Sequence, residues 1–232
     1  MTGKPICKMI IDTDPGVDDA MAILYAAAAP DIELLGLTTI FGNVSTKMAT
    51  RNALRLVEML GLDIPVAHGA SKPQDLPVFP VSSHVHGEEG FGHVAAAEPK
   101  GKAIDESAAE FLVRMAREHK GELTVCPVGP LTNIAAAIRL DPDFMTNCKQ
   151  IVIMGGSIEA GGNVSDFAEA NIYHDPHAAR DVFAAGGNQI MVGLDVTLKI
   201  TCDRPVFEDI AKASPNLGGF LKEAADFYVD FY

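Results

Sequence analysis

Tryptophan is absent from this 232-residue chain, and aromatic residues make up only 6% of it. Hydrophobic residues still account for 48%, so any core must be built mostly from aliphatic side chains. A chain of this length and apolar content can bury one large α/β core, and no feature demands a second. We therefore expect residues 1–232 to form a single domain.

Cysteines at metal-binding or redox spacing are also missing. The four cysteines, Cys7, Cys126, Cys148 and Cys202, are widely separated, and no CxxC motif occurs. Cys7 and Cys126 lie in apolar, strand-like runs, where a reduced cysteine behaves as a small core residue. This distribution argues against a zinc site and against a structural disulfide.

Long apolar runs and an excess of positive charge are absent as well. No stretch approaches the roughly 18 apolar residues that suggest a membrane-spanning helix, and residues 1–11 contain no long apolar segment. With 18 Lys and Arg against 31 Asp and Glu, the net charge is −13. Such a surface repels phosphate backbones and anionic lipid heads. We expect a cytoplasmic protein that binds neither nucleic acid nor membranes.

What is present is an alternation of short apolar runs with helical patterns. Strands are predicted at residues 5–11, 33–39, 61–67, 122–127, 149–154 and 189–194. Helices are predicted at residues 18–29, 46–60 (capped by Ser45), 105–119, 131–140 and 176–185, with two more from Pro205 and Leu217. Residues 68–104 show no period and read as a long loop region. The alternation predicts an α/β fold with a mostly parallel central sheet and helices on both faces.

Polar clusters follow several of these predicted strands. They lie at residues 12–19, 42–43, 129–133 and 155–156. In open parallel sheets the functional site lies beyond the carboxyl ends of the strands. The convergence of these clusters predicts a site at that edge.

The first cluster carries four carboxylates within eight residues, Asp12, Asp14, Asp18 and Asp19. Asp12 and Asp14 point the same way if the strand continues, because side chains alternate along a strand. Four negative charges packed together need a cation or shared protons to compensate. Oxygen ligands without His or Cys suit calcium or magnesium. The alternative is structural: Asp18 and Asp19 cap a helix while Asp12 holds a loop.

Ordered blocks across most of the chain resemble one known family, the inosine-uridine preferring nucleoside hydrolases. The blocks are DTDPGVDDAMAI at 12–23, TTIFGN at 38–43, HVHGEEG at 84–90, PVGPLTNIA at 127–135, IVIMGG at 151–156, GGNVSDFAEANIYHDP at 161–176 and GLDVT at 193–197. The resemblance implies the nucleoside hydrolase fold, a Rossmann-like open sheet. It also implies hydrolysis of the N-glycosidic bond of ribonucleosides, to ribose and free base, by a calcium-bound water.

The resemblance assigns roles to the carboxylate cluster. It implies that Asp14 and Asp19 are calcium ligands, together with the carbonyl oxygen of Val128. Asp14 is then also the general base for the attacking water, a role that fits a carboxylate beside a cation. Asp18 holds the ribose 2′-hydroxyl, and Asp12 orients its neighbours.

The same resemblance implies a sugar pocket that mixes donors and acceptors. Asn163 and Glu169 bind the 5′-hydroxyl, Asn171 and Asn43 bind the lower hydroxyls, and Met154 packs against the ribose. Asn163, Glu169 and Asn171 lie in a Gly-rich segment that we expect to be loop rather than helix. Taken alone, each Asn could instead be a turn residue that satisfies its own backbone.

The histidines and the base side of the pocket carry a weaker signal. His84 and His86 have zinc-like spacing, but no second pair follows. The resemblance places His86 at the base-binding side, whereas His174 precedes a Pro-initiated helix start. No GxxxxGK[ST] phosphate loop occurs, and clustered carboxylates repel a 5′-phosphate, so the expected substrate is a nucleoside rather than a nucleotide.

The chain departs from the family pattern at its C-terminal end. Family members normally continue to a His-Asp pair whose Asp completes the calcium shell, and this sequence stops at Tyr232 without one. His174-Asp175 is not a substitute, because it belongs to the 161–176 block. We expect the sequence to be a portion of a longer protein. The final aromatics at 227, 228, 231 and 232 either flank the base or form an amphipathic core stripe.

Two other functions are compatible with parts of this pattern. A nucleoside- or calcium-binding homologue could keep the fold and lose turnover. A haloacid dehalogenase-type phosphohydrolase also carries Asp-x-Asp after its first strand, but Gly16 and the lack of an identifiable Lys depart from that family. Family members generally assemble as homodimers or homotetramers, and the resemblance implies the same here.

Overall fold

A computed structural model of the chain describes residues 7–231 and contains one six-stranded sheet. The strands are β1 Cys7–Thr13, β2 Ile32–Thr39, β3 Val66–Ala67, β4 Leu123–Pro127, β5 Gln150–Met154 and β6 Gln189–Val192. Their spatial order is β3-β2-β1-β4-β5-β6, and every neighbouring pair is parallel. The predicted α/β fold with a parallel central sheet is confirmed. Residues 5 and 6 of the first predicted strand lie outside the described residues.

Helices connect these strands. They are α1 Val17–Ala28, α2 Thr46–Leu60, α3 Ser83–His86, α4 Ala108–Glu118, α5 Thr132–Leu140, α6 Phe144–Asn147, α7 Ala170–His174, α8 Pro176–Ala184, α9 Leu194–Thr197, α10 Arg204–Ala213 and α11 Leu217–Phe231. The long predicted helices are confirmed, and Ser45 accepts a hydrogen bond from the Met48 N–H as the cap of α2. The prediction was wrong for the third strand, which has two residues rather than seven. It also missed the short helices, because four or five residues are too few to establish a helical period.

The sheet is covered on both faces, as predicted. Ile10 and Ile11 are consecutive in β1 and both buried, yet they belong to different core clusters because side chains alternate across a strand. The Ile10 cluster packs against α4, α5 and α8, and the Ile11 cluster against α1, α2 and α11. Most members are aliphatic, and full burial of each large one contributes about 1.5–3 kcal/mol.

The strand order creates one reversal of direction in the sheet. From β1 the chain moves outward to β2 and β3, then returns past β1 to β4, β5 and β6. The chain that follows β1 and the chain that follows β4 therefore run to opposite faces of the sheet. A crevice opens between them, beyond the carboxyl ends of these two strands. The aspartates of the first polar cluster lie at this position.

The four cysteines are free thiols in the described structure. Burial raises the pKa of Cys126 to about 11 and that of Cys148 to about 12, so neither is a reactive thiolate at neutral pH. Across residues 7–231, no helix is both long and apolar enough to cross a bilayer.

Candidate active site

Asp12 lies at the centre of the carboxyl edge of the sheet. It pairs in register with Thr38 of β2 and Pro127 of β4, and its side chain is fully buried. Oδ1 accepts hydrogen bonds from the Thr38 hydroxyl at 2.5 Å and the Asn133 amide at 2.8 Å. Oδ2 has no partner among the described residues. Burial raises the pKa of Asp12 to about 7, against the opposing effect of these two hydrogen bonds.

Asp14 follows the end of β1 and is also fully buried. Its Oδ2 accepts the backbone N–H of Asn43 at 2.6 Å, whereas Oδ1 has no hydrogen-bond partner within residues 7–231. Burial raises the pKa of Asp14 well above its ordinary value, and the charge of Asp19 raises it further. An acceptor oxygen that is desolvated and unpaired is costly unless another group satisfies it.

Two glycines allow the chain to approach the Asp14 carboxylate closely. A Cβ atom at Gly129, in the turn after β4, would lie 2.6 Å from Oδ1 of Asp14. A Cβ atom at Gly42 would overlap Oδ2, and Gly42 also has φ +154°, which L-residues rarely adopt. The backbone therefore encloses Asp14 from both neighbouring strands, and only glycine fits at these two positions.

Asp19 faces the same interior from the first turn of α1. It accepts hydrogen bonds from the Thr13 hydroxyl at 2.5 Å, the Gly16 N–H at 3.0 Å and the Asn43 side-chain amide at 2.9 Å. Burial and the charge of Asp18 nevertheless raise the pKa of Asp19 to about 6. Its bond to Gly16 also caps α1. Helix capping and a place in the carboxylate cluster are therefore combined in one residue rather than being alternatives.

Asp18 differs from its neighbour in exposure. Its side chain is 51% exposed, whereas Asp19 is 4% exposed. Oδ1 of Asp18 lies 3.7 Å from Nδ1 of His86. Asp18 therefore stands at the accessible rim of the cluster, where a ligand can reach it without entering the interior.

His86 is buried beside the start of α1. Its Nδ1 accepts the Val17 N–H at 3.3 Å, and its ring packs against Tyr228 of α11 with centroids 5.4 Å apart. Burial lowers the pKa of His86 to about 4, with Asp19 opposing this shift and His84 adding to it. The imidazole is consequently neutral at pH 7. Because Nδ1 accepts, the proton resides on Nε2.

Three aromatic residues of α11 pack against histidines of the 68–104 region. Tyr228 contacts His86, Phe227 contacts His93 at 5.1 Å and Phe231 contacts His84 at 5.7 Å. Phe231 is 47% exposed, whereas the other two are half-buried. These residues join α11 to the loop that carries His86. Tyr232 lies outside the described residues.

Asn171 lies in α7, so the prediction of loop at this position was wrong. Its side-chain nitrogen contacts the Val128 carbonyl at 3.0 Å, the Met154 carbonyl at 3.1 Å and the Met154 sulfur at 3.3 Å. Val128 in turn donates its N–H to the Asp12 carbonyl at 2.8 Å. The residues after β4 and β5 are thus connected to the end of β1.

Glu169 and Asn163 bind backbone groups of their own segment. The carboxylate of Glu169 caps α7 by accepting from Asn171 and Ile172, and it also accepts the Gly156 N–H at 2.9 Å. Glu169 is 2% exposed. Asn163 is exposed and accepts the Ala170 N–H at 2.9 Å. Glu169 is in a loop as predicted, immediately before α7.

The donor set at this edge of the sheet consists of oxygen atoms. Within residues 7–231, no three His, Cys, Asp or Glu side chains converge as a metal-binding group. The candidate ligands are instead two carboxylates, Asp14 and Asp19, and one backbone carbonyl, Val128. All are oxygens, as calcium prefers. The unpaired Oδ1 of Asp14 and the raised pKa values of both carboxyls fit a cation, because a nearby positive charge stabilises a buried carboxylate.

Sequence reasoning missed the residues that hold the cluster in place. Asn133 donates to Asp12 across 121 positions of sequence, and Asn52 donates to the carbonyl of Pro15 at 3.1 Å. The sequence pointed to Asn133 only through its place in the polar cluster at 129–133. Asn52 lies in the middle of α2, and no sequence pattern pointed to its place beside the site.

Known proteins of one family match this sequence along nearly its whole length. The family described as inosine-uridine preferring nucleoside hydrolase matches residues 9–232. The chain is 46% identical to probable uridine nucleosidase 2 of Arabidopsis thaliana, covering 97% of this chain and 70% of that protein. It is 39% identical to the inosine-uridine preferring nucleoside hydrolase of Crithidia fasciculata, covering 97% and 72% respectively.

Solved structures of nucleoside hydrolases also superpose on nearly the whole chain. The plant nucleoside hydrolase PpNRh1 superposes with a TM-score of 0.92 at 40% identity, covering 98% of this chain and 72% of that chain. The purine-preferring ribonucleoside hydrolase from Gardnerella vaginalis superposes with a TM-score of 0.94 at 38% identity, covering 97% and 72%.

Proposed function

The chain belongs to the inosine-uridine preferring nucleoside hydrolase family, and from this premise we propose that it hydrolyses ribonucleosides to ribose and free base with a water molecule activated by Asp14. The observation that carries the role of Asp14 is its geometry. Its carboxylate is fully buried at the crevice of the sheet, with one oxygen fixed by Asn43 and the other unpaired. A general base needs such an oriented and available oxygen.

Calcium is the proposed cofactor, held by Asp14, Asp19 and the carbonyl of Val128. When bound, the ion lowers the pKa of water and thereby supplies a better nucleophile at neutral pH. The ion would also keep Asp14 ionised, which burial and the charge of Asp19 oppose in its absence. Asp12, bonded to Thr38 and Asn133, keeps the end of β1 in register with its neighbours.

Proton transfer is the task of Asp14. Its Oδ2 is fixed by the Asn43 N–H, and Oδ1 has two acceptor positions, so one would face the ion while the other accepts the proton of the water that attacks C1′. As the C1′–N bond breaks, its electron pair goes to the departing base, which takes up a proton from solvent, and the sugar becomes oxocarbenium-like with a positive charge stabilised by electron-rich neighbours. The Asp14 carboxylate, the Met154 sulfur and the Asn171 amide oxygen are suitable neighbours. Asp14 afterwards returns its proton to solvent.

The sugar hydroxyls are assigned to residues around the rim. Asp18 is exposed enough to accept the 2′-hydroxyl, and Asn43 and Asn171 bind the lower hydroxyls beside it. Asn163 and Glu169 bind the 5′-hydroxyl. Glu169 already accepts three backbone N–H groups, but a carboxylate has about four acceptor sites, so one remains for a hydroxyl.

His86 is proposed to lie on the base side. Its Nδ1 is occupied by the Val17 N–H, and its pKa of about 4 keeps the ring neutral. The Nε2–H is therefore a donor for an acceptor atom of the base across the neutral pH range.

The activity is tested with a panel of ribonucleosides that includes inosine and uridine. We expect reducing ribose to be released in the presence of calcium and not after chelation. Release of phosphate from p-nitrophenyl phosphate without release of ribose would support a phosphohydrolase instead. Saturable binding of a ribose analogue without any product would support the binding homologue.

The remaining assignments are also proposals. We propose one domain, cytoplasmic location and assembly as a homodimer or homotetramer, with a nucleoside as the small-molecule partner. The free thiols favour a reducing compartment. Light scattering of the purified protein measures the assembly directly.

A further inference from the structure

The segment at residues 157–169 joins β5 to α7 and carries Asn163. It has no regular helix or strand. Ile158 is 78% exposed and Phe167 is 89% exposed, so apolar burial does little to hold these parts of the segment. Its conformation must therefore depend on hydrogen bonds.

The backbone N–H groups in the first half of this segment donate mostly to one side chain, the carboxylate of Asp195. Oδ2 of Asp195 accepts the Ile158 N–H at 2.7 Å. Oδ1 accepts the Glu159 N–H at 2.8 Å and the Ala160 N–H at 3.0 Å. Three successive backbone N–H groups thus converge on one side chain. These bonds lower the pKa of Asp195, which keeps it ionised and strengthens the interaction.

Asp195 belongs to the GLDVT block, to which the proposed mechanism assigns no role. It lies in the first turn of α9, but that helix has Gly193 as its N-cap and no side-chain cap hydrogen bond. Helix capping therefore does not account for the residue. Its contacts are directed across to the 157–169 segment, 35–37 positions earlier in the chain.

The second half of the segment is closed on itself by backbone bonds: the N–H of Gly162 donates to the Asp166 carbonyl, and the N–H groups of Asn163 and Val164 donate to the Ala168 carbonyl, all at 3.1 Å. Further bonds join the segment to the residues that flank it. Glu169 binds Gly156 before the segment, and Asn163 binds Ala170 after it. Asn163 follows Ala160 by three residues, a distance of at most about 11 Å along an extended chain. The position of residues 158–160 therefore restricts where Asn163 can lie.

We infer that Asp195 is a positioning residue for sugar recognition, which holds residues 158–160 so that Asn163 meets the 5′-hydroxyl of the nucleoside. This inference rests on the proposed function for the role of Asn163. Asp195 itself touches backbone groups of the segment rather than the substrate. Its loss should consequently affect recognition of one hydroxyl more than the chemical step.

The test compares Asp195→Asn with Asp166→Asn, the same substitution at an exposed aspartate of the same segment. For uridine we expect Asp195→Asn to raise KM about tenfold, with kcat changed less than about twofold. For 5′-deoxyuridine, which lacks the hydroxyl, KM should change less than about twofold. Asp166→Asn should resemble the wild type with both substrates.

Two further measurements separate this inference from the proposed function. Amide hydrogen exchange at residues 158–160 should accelerate in Asp195→Asn and not in Asp166→Asn, whether or not the protein hydrolyses nucleosides. In an Asn163→Ala background, Asp195→Asn should cause no further loss of discrimination between the two substrates. If the wild type releases no ribose, the proposed function fails, and accelerated exchange still supports the hold of Asp195 on the segment.

Other outcomes overturn the inference. Equal increases in KM for uridine and its 5′-deoxy analogue would assign Asp195 a general structural role. Unchanged exchange at residues 158–160 would show that the carboxylate does not hold them.

Discussion

The backbone N–H of Asn43 lies 2.6 Å from Oδ2 of Asp14, and this one bond determines which oxygen of the carboxylate stays available. The side-chain amide of Asn43 lies 2.9 Å from Asp19. One residue in the turn after β2 thus fixes both proposed calcium ligands of the first cluster. Asn43 was expected to bind a sugar hydroxyl, and its amide oxygen remains available for that role.

Replacement of the proposed base is the first prediction. Asp14→Asn keeps the size and one acceptor oxygen of the side chain but removes its basicity. We expect ribose release to fall at least about 10³-fold, because the general base and a charged metal ligand are lost together. The measurement is kcat/KM for inosine and uridine in saturating calcium.

The folded state should survive this substitution. Burial raises the pKa of Asp14, so the charged form is unfavourable in metal-free protein and its removal should not lower Tm in chelator. A correctly folded Asp14→Asn variant with wild-type turnover would rule out Asp14 as the base.

Much of the fold was predictable because its strands are short apolar runs separated by periodic helices. The order of the strands was not, since local patterns do not report which strands pair. The 61–67 segment illustrates the limit: only Val66 and Ala67 pair with β2, and Pro65 before them has no N–H to donate to the sheet. Helix α7 was missed because five residues do not complete two turns.

The site was predictable to the extent that its residues are contiguous. Asp12, Asp14 and Asp19 could be grouped because they lie within one strand-to-helix turn. The partners that hold them come from distant positions, such as Asn133, and local pattern gave no indication of these bonds. The role of Asp195 was likewise invisible, because its bonds cross to another loop.

The second prediction separates two adjacent carboxylates by their exposure. Asp19 is buried and bonded to Asn43, so Asp19→Asn should weaken calcium binding at least about tenfold. Asp18 is half exposed, so Asp18→Asn should leave calcium affinity within about twofold and raise KM for ribonucleosides about tenfold through the lost charged hydrogen bond. Calorimetric titration of calcium and steady-state kinetics measure the two effects. Equal loss of calcium affinity in both variants would contradict this division.

The third prediction concerns pH and the Asp12 carboxyl group in metal-free protein. Burial raises its pKa in the folded state to about 7 from an ordinary value of 3.8, so between these values the folded protein binds more protons than the unfolded chain. The contribution of Asp12 to stability is therefore present below about pH 4 and is lost as pH rises through about 7. The slope is at most about 1.4 kcal/mol per pH unit for this one group.

His86 also titrates in this pH range, but its effect on the free energy of unfolding has the opposite sign. Its pKa is lowered to about 4, so it makes the folded state more stable as pH rises from about 4 to 6.5. The comparison of wild type with Asp12→Asn removes this background. Denaturant unfolding in chelator should show the wild type losing stability relative to Asp12→Asn between pH 5 and 7. A constant difference across that range would mean that Asp12 is not protonated in the folded state.

The fourth prediction uses the close approach of Gly129 to the carboxylate of Asp14, the proposed general base. A Cβ atom there would lie 2.6 Å from Oδ1 of Asp14, so Gly129→Ala must displace either the carboxylate or the turn after β4. Misplacement of a catalytic group by about 1 Å can cost about 10²-fold in rate, and we expect a loss of that order in kcat/KM. The matched control is Gly219→Ala in α11, where nothing lies within 4 Å of the added atom. That change should leave kcat/KM unaltered and stabilise the helix by about 0.5–1 kcal/mol, measured by denaturant unfolding. Full activity in a folded Gly129→Ala protein would show that catalysis does not need the Asp14 carboxylate at the place where this glycine admits it.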